Sequence, residues 1–207
     1  MRSETKVAGL LLAAGAARRF GADKRRARLA DGRTLLEASL ANAAATFDEL
    51  LVVIRAGETL DDLHLPPQVR VLCTPHAERG LGASLAAGVA ALSAHPGDAL
   101  AVLLGDMPWI RPQTYAQLIG AADDQRIVQP WHADRPGHPL VFGRAFWPAL
   151  CALDGDEGAR RLISRDAAHY LRLSVDDPDI LQDVDHPADL DERMAPAAPS
   201  TRLPVRS

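Results

Sequence analysis

The chain has 207 residues, 47% hydrophobic and 24% charged, which is enough for one well-buried core and ordinary for a globular domain. A net charge of -4 gives no basic excess of the kind duplex-binding proteins carry, and no apolar run approaches the roughly 20 residues that span a bilayer. Neither nucleic acid nor membrane is therefore expected as a partner. The two cysteines, Cys73 and Cys151, form no paired or metal-ligand spacing, as expected of thiols in a reducing, cytoplasmic compartment.

Arg2 and Lys6 ahead of the apolar run Val7 to Ala17 imitate a secretory signal, but Glu4 dilutes the charge and Arg18-Arg19 follow directly. The run reads better as a buried parallel strand, Val7 to Leu12, entering a loop with Gly15 and Gly21. Leu35 to Ala45 has helical spacing with Thr34 as N-cap. Glu49 to Arg55 and Val69 to Cys73 read as strands, and Ala83 to Ala94 as a helix after Gly80-Leu81-Gly82. Ala99 to Leu104 is another buried strand, stopped by Gly105-Asp106-Met107-Pro108. Thr114 to Ala122 is helical, Ile127 to Gln129 and Leu140 to Phe142 are short strands, and Arg144 to Leu153 and Gly158 to Arg165 are helical. Tyr170 to Val175 is a late strand, Ala188 to Met194 starts a last helix, and the Ala/Pro/Ser-rich residues 195–207 read as a disordered tail. Alternating strands and helices give an α/β fold with a mainly parallel sheet, whose ligands sit at the carboxyl ends of the strands near a topological switch point.

Three segments carry chemistry. In Leu12-Ala13-Ala14-Gly15 through Arg18-Arg19-Phe20-Gly21-Ala22-Asp23-Lys24, small side chains let backbone amides approach a polyanion, and arginine and lysine add positive charge. The spacing is neither a P-loop nor a dinucleotide fingerprint, and a plain strand-to-helix turn with surface basic residues is the competing reading. Asp106, just past a buried strand, either ligates a metal or caps the turn before Pro108. Asp185, in Asp183-Val184-Asp185-His186-Pro187, either joins it as a ligand or caps the last helix.

These segments resemble the MobA-like NTP transferase family, with its L-A-A-G-x-x-x-R-x-G-x-x-K signature, its G-D-M-P motif and its D-[IV]-D-T-P-x-D-L segment, in which His186 here replaces Thr. Gly80 to Gly88 is similar to the family's G-[ML]-x-x-S-L-x-x-G stretch. Gly137-His138-Pro139 and Gly155 to Arg160 resemble segments of its molybdopterin cytidylyltransferase branch. The resemblance implies a Rossmann-like, three-layer nucleotidyltransferase fold over residues 1–194. It implies a nucleoside triphosphate held by Leu12, Ala13, Ala14, Gly15, Gly82, Ser84 and Gly105, with Arg19 and Lys24 offsetting charge on the leaving pyrophosphate. It implies Mg²⁺ between Asp106 and Asp185, with Asp106 also counted as catalytic, and a pterin side lined by His138 and Arg160. Within the resembling family Leu-Ala-Ala-Gly, rather than Leu-Ala-Gly-Gly, favours CTP over GTP, the physical sense being that the Ala14 methyl crowds a purine more than a pyrimidine. Molybdopterin is the expected acceptor, and a molybdoenzyme or its chaperone a further partner. Guanylyl transfer, another phosphate acceptor, and a non-catalytic nucleotide-binding partner in molybdoenzyme maturation are the alternatives. Arg25-Arg26 departs from the family pattern, where apolar residues often follow the lysine.

Overall fold

The computed structural model of the chain describes residues 5–15, 20, 23–58, 63, 65–66, 69–155 and 159–194. Its framework is an eight-stranded sheet in the neighbour order β3-β2-β1-β4-β7-β5-β6, with β8 paired to β5. The strands are β1 (Val7–Leu12), β2 (Leu50–Arg55), β3 (Arg70–Thr74), β4 (Ala99–Leu104), β5 (Ile127–His132), β6 (Arg135–Pro136), β7 (Leu140–Gly143) and β8 (Tyr170–Ser174). The pairs β1–β2, β1–β4, β2–β3 and β5–β8 are parallel, while β7 runs antiparallel to β4 and β5.

The central strands are apolar throughout because both faces are covered. Leu11, Val52, Ile54, Ala101 and Leu103 pack on one face against Leu36 and Leu40 of α1 (Leu35–Ala44) and Tyr115 and Leu118 of α3 (Pro112–Ala121). Leu10, Leu12, Leu51, Val53, Leu100 and Val102 point the other way. They meet α2 (Leu81–Ala91), α4 (Trp147–Cys151) and α5 (Arg160–Arg165) through Leu85, Val89, Trp147, Leu150 and Leu162. The result is the expected three-layer α/β fold. A last helix, α6 (Pro187–Met194), follows the site segment described below.

Local signals place the helix starts. Thr34 and Glu37 form a reciprocal capping box on α1, and Pro112 opens α3, where its missing N–H has no helical partner to lose. The helix expected from Arg144 to Leu153 divides into a 3₁₀ turn, Arg144–Phe146, and the short α4, because Pro148 fits only a first helical turn. β5 runs three residues past the expected end at Gln129. Pro130 is tolerated there because it falls between the ladder to β7, at Ile127 and Val128, and the ladder to β6, at Trp131 and His132. The two-residue β6 was not expected; it is folded back by Ala133 and Asp134, both at positive φ as a tight hairpin turn requires. The tail, 195–207, lies outside the described residues. No described helix is long and apolar enough to cross a membrane.

α2 lies close on β1 and β2 at Gly88, where an added Cβ would fall 2.6 Å from Leu10 Cδ1 and 3.0 Å from Val53 Cγ2. Gly88→Ala is expected to destabilise the fold by about 1–3 kcal/mol through overpacking, read as a lower midpoint in urea at unchanged slope.

Candidate functional site

β1 lies between β2, reached through α1, and β4, reached only after the chain has gone out to β3. That reversal makes the β1/β4 crevice the switch point of the sheet. Leu12 and Leu104 are register partners at its carboxyl edge, and Gly105 N–H donates to Leu12 O at 3.0 Å. The approach is close: a Cβ on Gly105 would meet Ala13 Cβ and Leu12 O at 3.2 Å. Asp106 is thereby set beside the exit of β1. From the opposite layer, Ser39 of α1 donates to Gly105 O at 3.2 Å, and Asn42 donates to Pro108 O at 2.7 Å, so the turn carrying Asp106 is tied to a helix.

Lys24 opens a 3₁₀ turn, Lys24–Arg26, and sends its ammonium to three acceptors: Asp106 Oδ2 at 2.6 Å, Asp185 Oδ1 at 3.1 Å and Val184 O at 3.0 Å. All three ammonium hydrogens have partners. Burial pulls the Lys24 pKa down, but Asp106 and then Asp185 outweigh it and hold it above its ordinary value, so the ammonium stays charged. Desolvation, with the neighbouring Asp106 and Asp185, raises the Asp183 carboxyl. Asp106 Oδ1 is buried and has no hydrogen-bond partner among the described residues. The segment holding Asp185 is docked by Val184 N–H on Asp106 O at 3.1 Å. Asp189 reaches back from α6 to accept from Asp185 N at 2.8 Å and His186 N at 2.7 Å. Asp189 therefore serves the amides at this helix start, while Asp185 Oδ1 accepts from Lys24. His186, where the family carries Thr, contributes its backbone N–H to this arrangement while its residue is exposed. Two carboxylates with one buried, unpartnered oxygen form a hard-oxygen set that suits Mg²⁺, which takes one or two carboxylates and completes its shell with phosphate and water. Among the described residues no group of three His, Cys, Asp or Glu side chains is gathered to hold an ion.

The remaining expected residues fall differently. Arg19 and Gly21 lie outside the described residues. Ala13 and Ala14 are buried, Ala13 donating its N–H to Val53 O. Ala14 is 2% exposed and packs in the α2-side core. Its methyl thus offers no surface to a base, and the crowding argument for CTP has no footing in this geometry. Gly15 is exposed, and a Cβ there would meet no described atom within 4 Å. Gly82 was read as standing ahead of a helix and Ser84 as a donor to the nucleotide. Both instead lie in the first turn of α2: Gly82 N–H is taken by Gly155 O at 2.8 Å, and Ser84 is buried with Oγ 3.5 Å from Gly80 O. Arg160 starts α5, and its side chain is outside the described set.

His138 lines a cavity of about 710 Å³ on the α2 side of the sheet. Leu12 and Leu104 form part of its wall, so it adjoins the two strands that lead into the charged cluster. The rest is largely apolar, including Leu81, Leu85 and Phe142, with a polar relay along one side. There Trp131 Nε1 donates to Tyr170 OH at 2.6 Å, Tyr170 OH to Gln129 Oε1 at 2.9 Å, and Gln129 Nε2 to Gly137 O at 3.1 Å. Arg172 stacks over the Trp131 ring at 4.0 Å. The alternation of β5 presents Trp131, with Gln129, to the cavity. Trp147 is the core residue expected.

Arg25 is the residue that sequence reading left unexplained. It is 5% exposed, and its guanidinium binds Asp23, Glu58 and the Ala13 carbonyl. Asp23 is held below its ordinary value first by the hydrogen bond from Arg25. For Glu58, burial pushes upward, but hydrogen bonding and charge from Arg25, helped by Arg55, outweigh it.

The MobA-like NTP transferase domain model matches residues 9–170. The purine catabolism protein PucB of Bacillus subtilis is 31% identical over 194 residues, covering 88% of this chain and 93% of that one. Nicotine blue oxidoreductase of Paenarthrobacter nicotinovorans is 31% identical over 74% of this chain and 79% of its own. A probable molybdenum cofactor guanylyltransferase of Chloroflexus aggregans is 35% identical over 54% of this chain and 51% of its own. Among solved structures, Rv0371c of Mycobacterium tuberculosis superposes with a TM-score of 0.80 at 29% identity, covering 92% and 97% of the two chains. Its manganese complex gives 0.75 at 27%, covering 91% and 97%. A nucleotidyl transferase of Methanothermobacter gives 0.75 at 25%, covering 91% and 95%.

Because Asp23 and Glu58 are depressed in the folded chain, they take up protons later there than when unfolded. Their contribution to stability is complete above the ordinary values of 3.8 and 4.5 and is lost as pH falls through the lower folded values. The melting temperature is expected to drop between about pH 5 and pH 3, and Glu58→Gln to flatten that acid limb, in a thermal scan against pH.

Proposed function

The chain belongs to the MobA-like NTP transferase family and is a nucleotidyltransferase; on that premise we propose that it transfers CMP from CTP to the phosphate of molybdopterin, releasing pyrophosphate. The observation that carries the reading is the convergence of Asp106 and Asp185, 79 positions apart in the chain, on one ammonium at the switch point of the sheet.

In this reading an acceptor phosphate oxygen forms a bond to the α-phosphorus while the bond from that phosphorus to the β-phosphate oxygen breaks. The chain supplies alignment and charge neutralisation, with no covalent intermediate on a side chain. Asp106 and Asp185 would hold Mg²⁺, which when bound neutralises charge on the phosphates. Arg19 and Lys24 would offset charge on the departing pyrophosphate. For Lys24 this means exchanging its bonds to Asp106, Asp185 and Val184 for phosphate oxygens. Gly15 and Gly105 let the nucleotide come close to the ends of β1 and β4, while Gly82 and Ser84 shape the start of α2. The cavity beside Leu12 and Leu104 would take the pterin against Trp131, Tyr170 and Phe142, with His138 and Arg160 on that side. Its size and mostly apolar lining with a few placed polar groups support a fused-ring acceptor. Guanylyl transfer to the same acceptor is the second reading, supported by the name of the Chloroflexus relative.

Pyrophosphate release measured with each of the four ribonucleoside triphosphates, with molybdopterin and Mg²⁺, is expected to favour CTP. Release with GTP alone selects the second reading, and release with none defeats both. Asp106→Asn is expected to cut turnover by about 10²-fold or more while the protein stays folded, since several kcal/mol of charge stabilisation rest on that ligand. Lys24→Met is expected to lower turnover yet tighten Mn²⁺ binding to the nucleotide-free protein, measured by titration calorimetry, because the ammonium and the ion use the same two carboxylates.

A further inference from the structure

Lys24 and Arg25 are adjacent in a single 3₁₀ turn, yet their side chains go to different parts of the sheet. Lys24 crosses to the exit of β4 at Asp106. Arg25 turns to the exits of β1 and β2. Its Nε and Nη2 bind Asp23 Oδ1 and Oδ2 at 2.8 and 2.7 Å. Nη1 binds Ala13 O, the residue after β1, at 2.8 Å, and Glu58 Oε2 at 2.7 Å, while Nη2 also binds Glu58 Oε1. All five guanidinium hydrogens are engaged. Glu58 follows β2 and is held in turn by the backbone N–H and guanidinium of Arg55, the last residue of that strand. Asp23 caps the turn itself by accepting from Arg25 N at 3.2 Å.

We infer that Arg25 is a positioning residue of the active site: it bolts the turn carrying Lys24 to the ends of β1 and β2 and so fixes where the Lys24 ammonium meets Asp106 and Asp185. This rests on the nucleotidyltransferase reading for its catalytic meaning, but the geometry stands by itself. The fork explains the residue type. Two carboxylates and a carbonyl, approached in one plane, require five donors in fixed directions, which an ammonium with three rotatable donors cannot supply. The arrangement also separates the two adjacent cations by task. The buried one is saturated by structural partners, and the other is held by groups that a ligand can replace. A shift of about 1 Å in a group that aligns a reaction can cost about 10²-fold in rate, so the anchor has leverage on turnover without touching substrate.

The chain contains just two lysines, Lys6 and Lys24, which makes the inference directly readable. In full-length protein labelled with ¹⁵N-lysine, the Lys24 side-chain signal is assigned by its loss in Lys24→Met, with Lys6 as internal reference. Arg25→Gln is expected to move or broaden the Lys24 signal and lower turnover by about tenfold or more. Arg33→Gln, at an exposed arginine paired with Asp31 outside this network, is expected to leave both unchanged. Should Arg25→Gln not fold, Glu58→Gln, which keeps the shape of the partner and removes its charge, gives the same signal change at smaller amplitude. A folded Arg25→Gln or Glu58→Gln protein with the Lys24 signal at its wild-type position overturns the inference. A wild-type protein that releases no pyrophosphate from any triphosphate overturns the nucleotidyltransferase reading instead, while the labelled-lysine comparison still judges Arg25.

Discussion

The site is organised by one cation, the Lys24 ammonium. It draws together a turn that follows β1, the loop that follows β4 and a segment more than 150 residues away at Val184 and Asp185. Without it, two carboxylates and the neighbouring Asp183 would face one another in a partly desolvated crevice, where like-charge repulsion is weakly screened. Charge-assisted hydrogen bonds to an ammonium resolve that conflict and hold the 182–185 segment against the sheet. Positive charge at this point is therefore a structural requirement. A divalent ion shared with substrate phosphates would satisfy the same carboxylates. On the proposed reading the pair passes from one cation to another without being left bare.

That exchange needs a frame that does not move with it. Asp106 is referenced to β1 through the Gly105–Leu12 bond and to α1 through Ser39 and Asn42. Asp185 is referenced to α6 through Asp189. The Lys24 turn is referenced to β1 and β2 through Arg25 and Glu58. Each of these side chains thus has at least one hydrogen-bonded support outside the Lys24 cluster. A rigid surround with one replaceable ion at its centre is what preorganised electrostatics asks of a fold.

Much of this was legible in the sequence, and the division between what was and what was not follows contact range. Apolar runs gave the strands, because burial on both faces leaves no other pattern, and Thr34 gave a helix start, because an N-cap is local; the structure adds Glu37 as its capping-box partner. Lys24, Asp106 and Asp185 were legible as motifs beside strand ends. Their supports were not. Ser39 and Asn42 belong to none of the motifs, and their meaning appears only when α1 is laid over the Gly105–Ile110 turn. Arg25 had no explanation in the sequence because arginine is rarely buried and its partners Ala13 and Glu58 are 12 and 33 positions away. Ala14 shows the opposite error. A methyl beside a glycine loop was expected to face the ligand, but the period-2 alternation of β1 continues through it and sends it into the core with Leu10 and Leu12.

The same alternation separates the two halves of the crevice. The parallel strands β1, β2 and β4 present backbone ends and charged loops, and every residue that holds the Lys24 cluster depends on them or on α1 and α6. The cavity wall is supplied mainly by β5, β7, β8, α2 and α5, with Trp131, Gln129 and Tyr170 fixed to one another by hydrogen bonds that involve none of the charged groups. Antiparallel insertion of β7 between β4 and β5 is what brings this second set alongside the first. Among the described residues the two sets meet at Leu12, Val102 and Leu104, which belong to β1 and β4 and also line the cavity. The physical partition follows from strand order: the charged cluster belongs to the switch point, and the mostly apolar cavity belongs to the strands added beyond it.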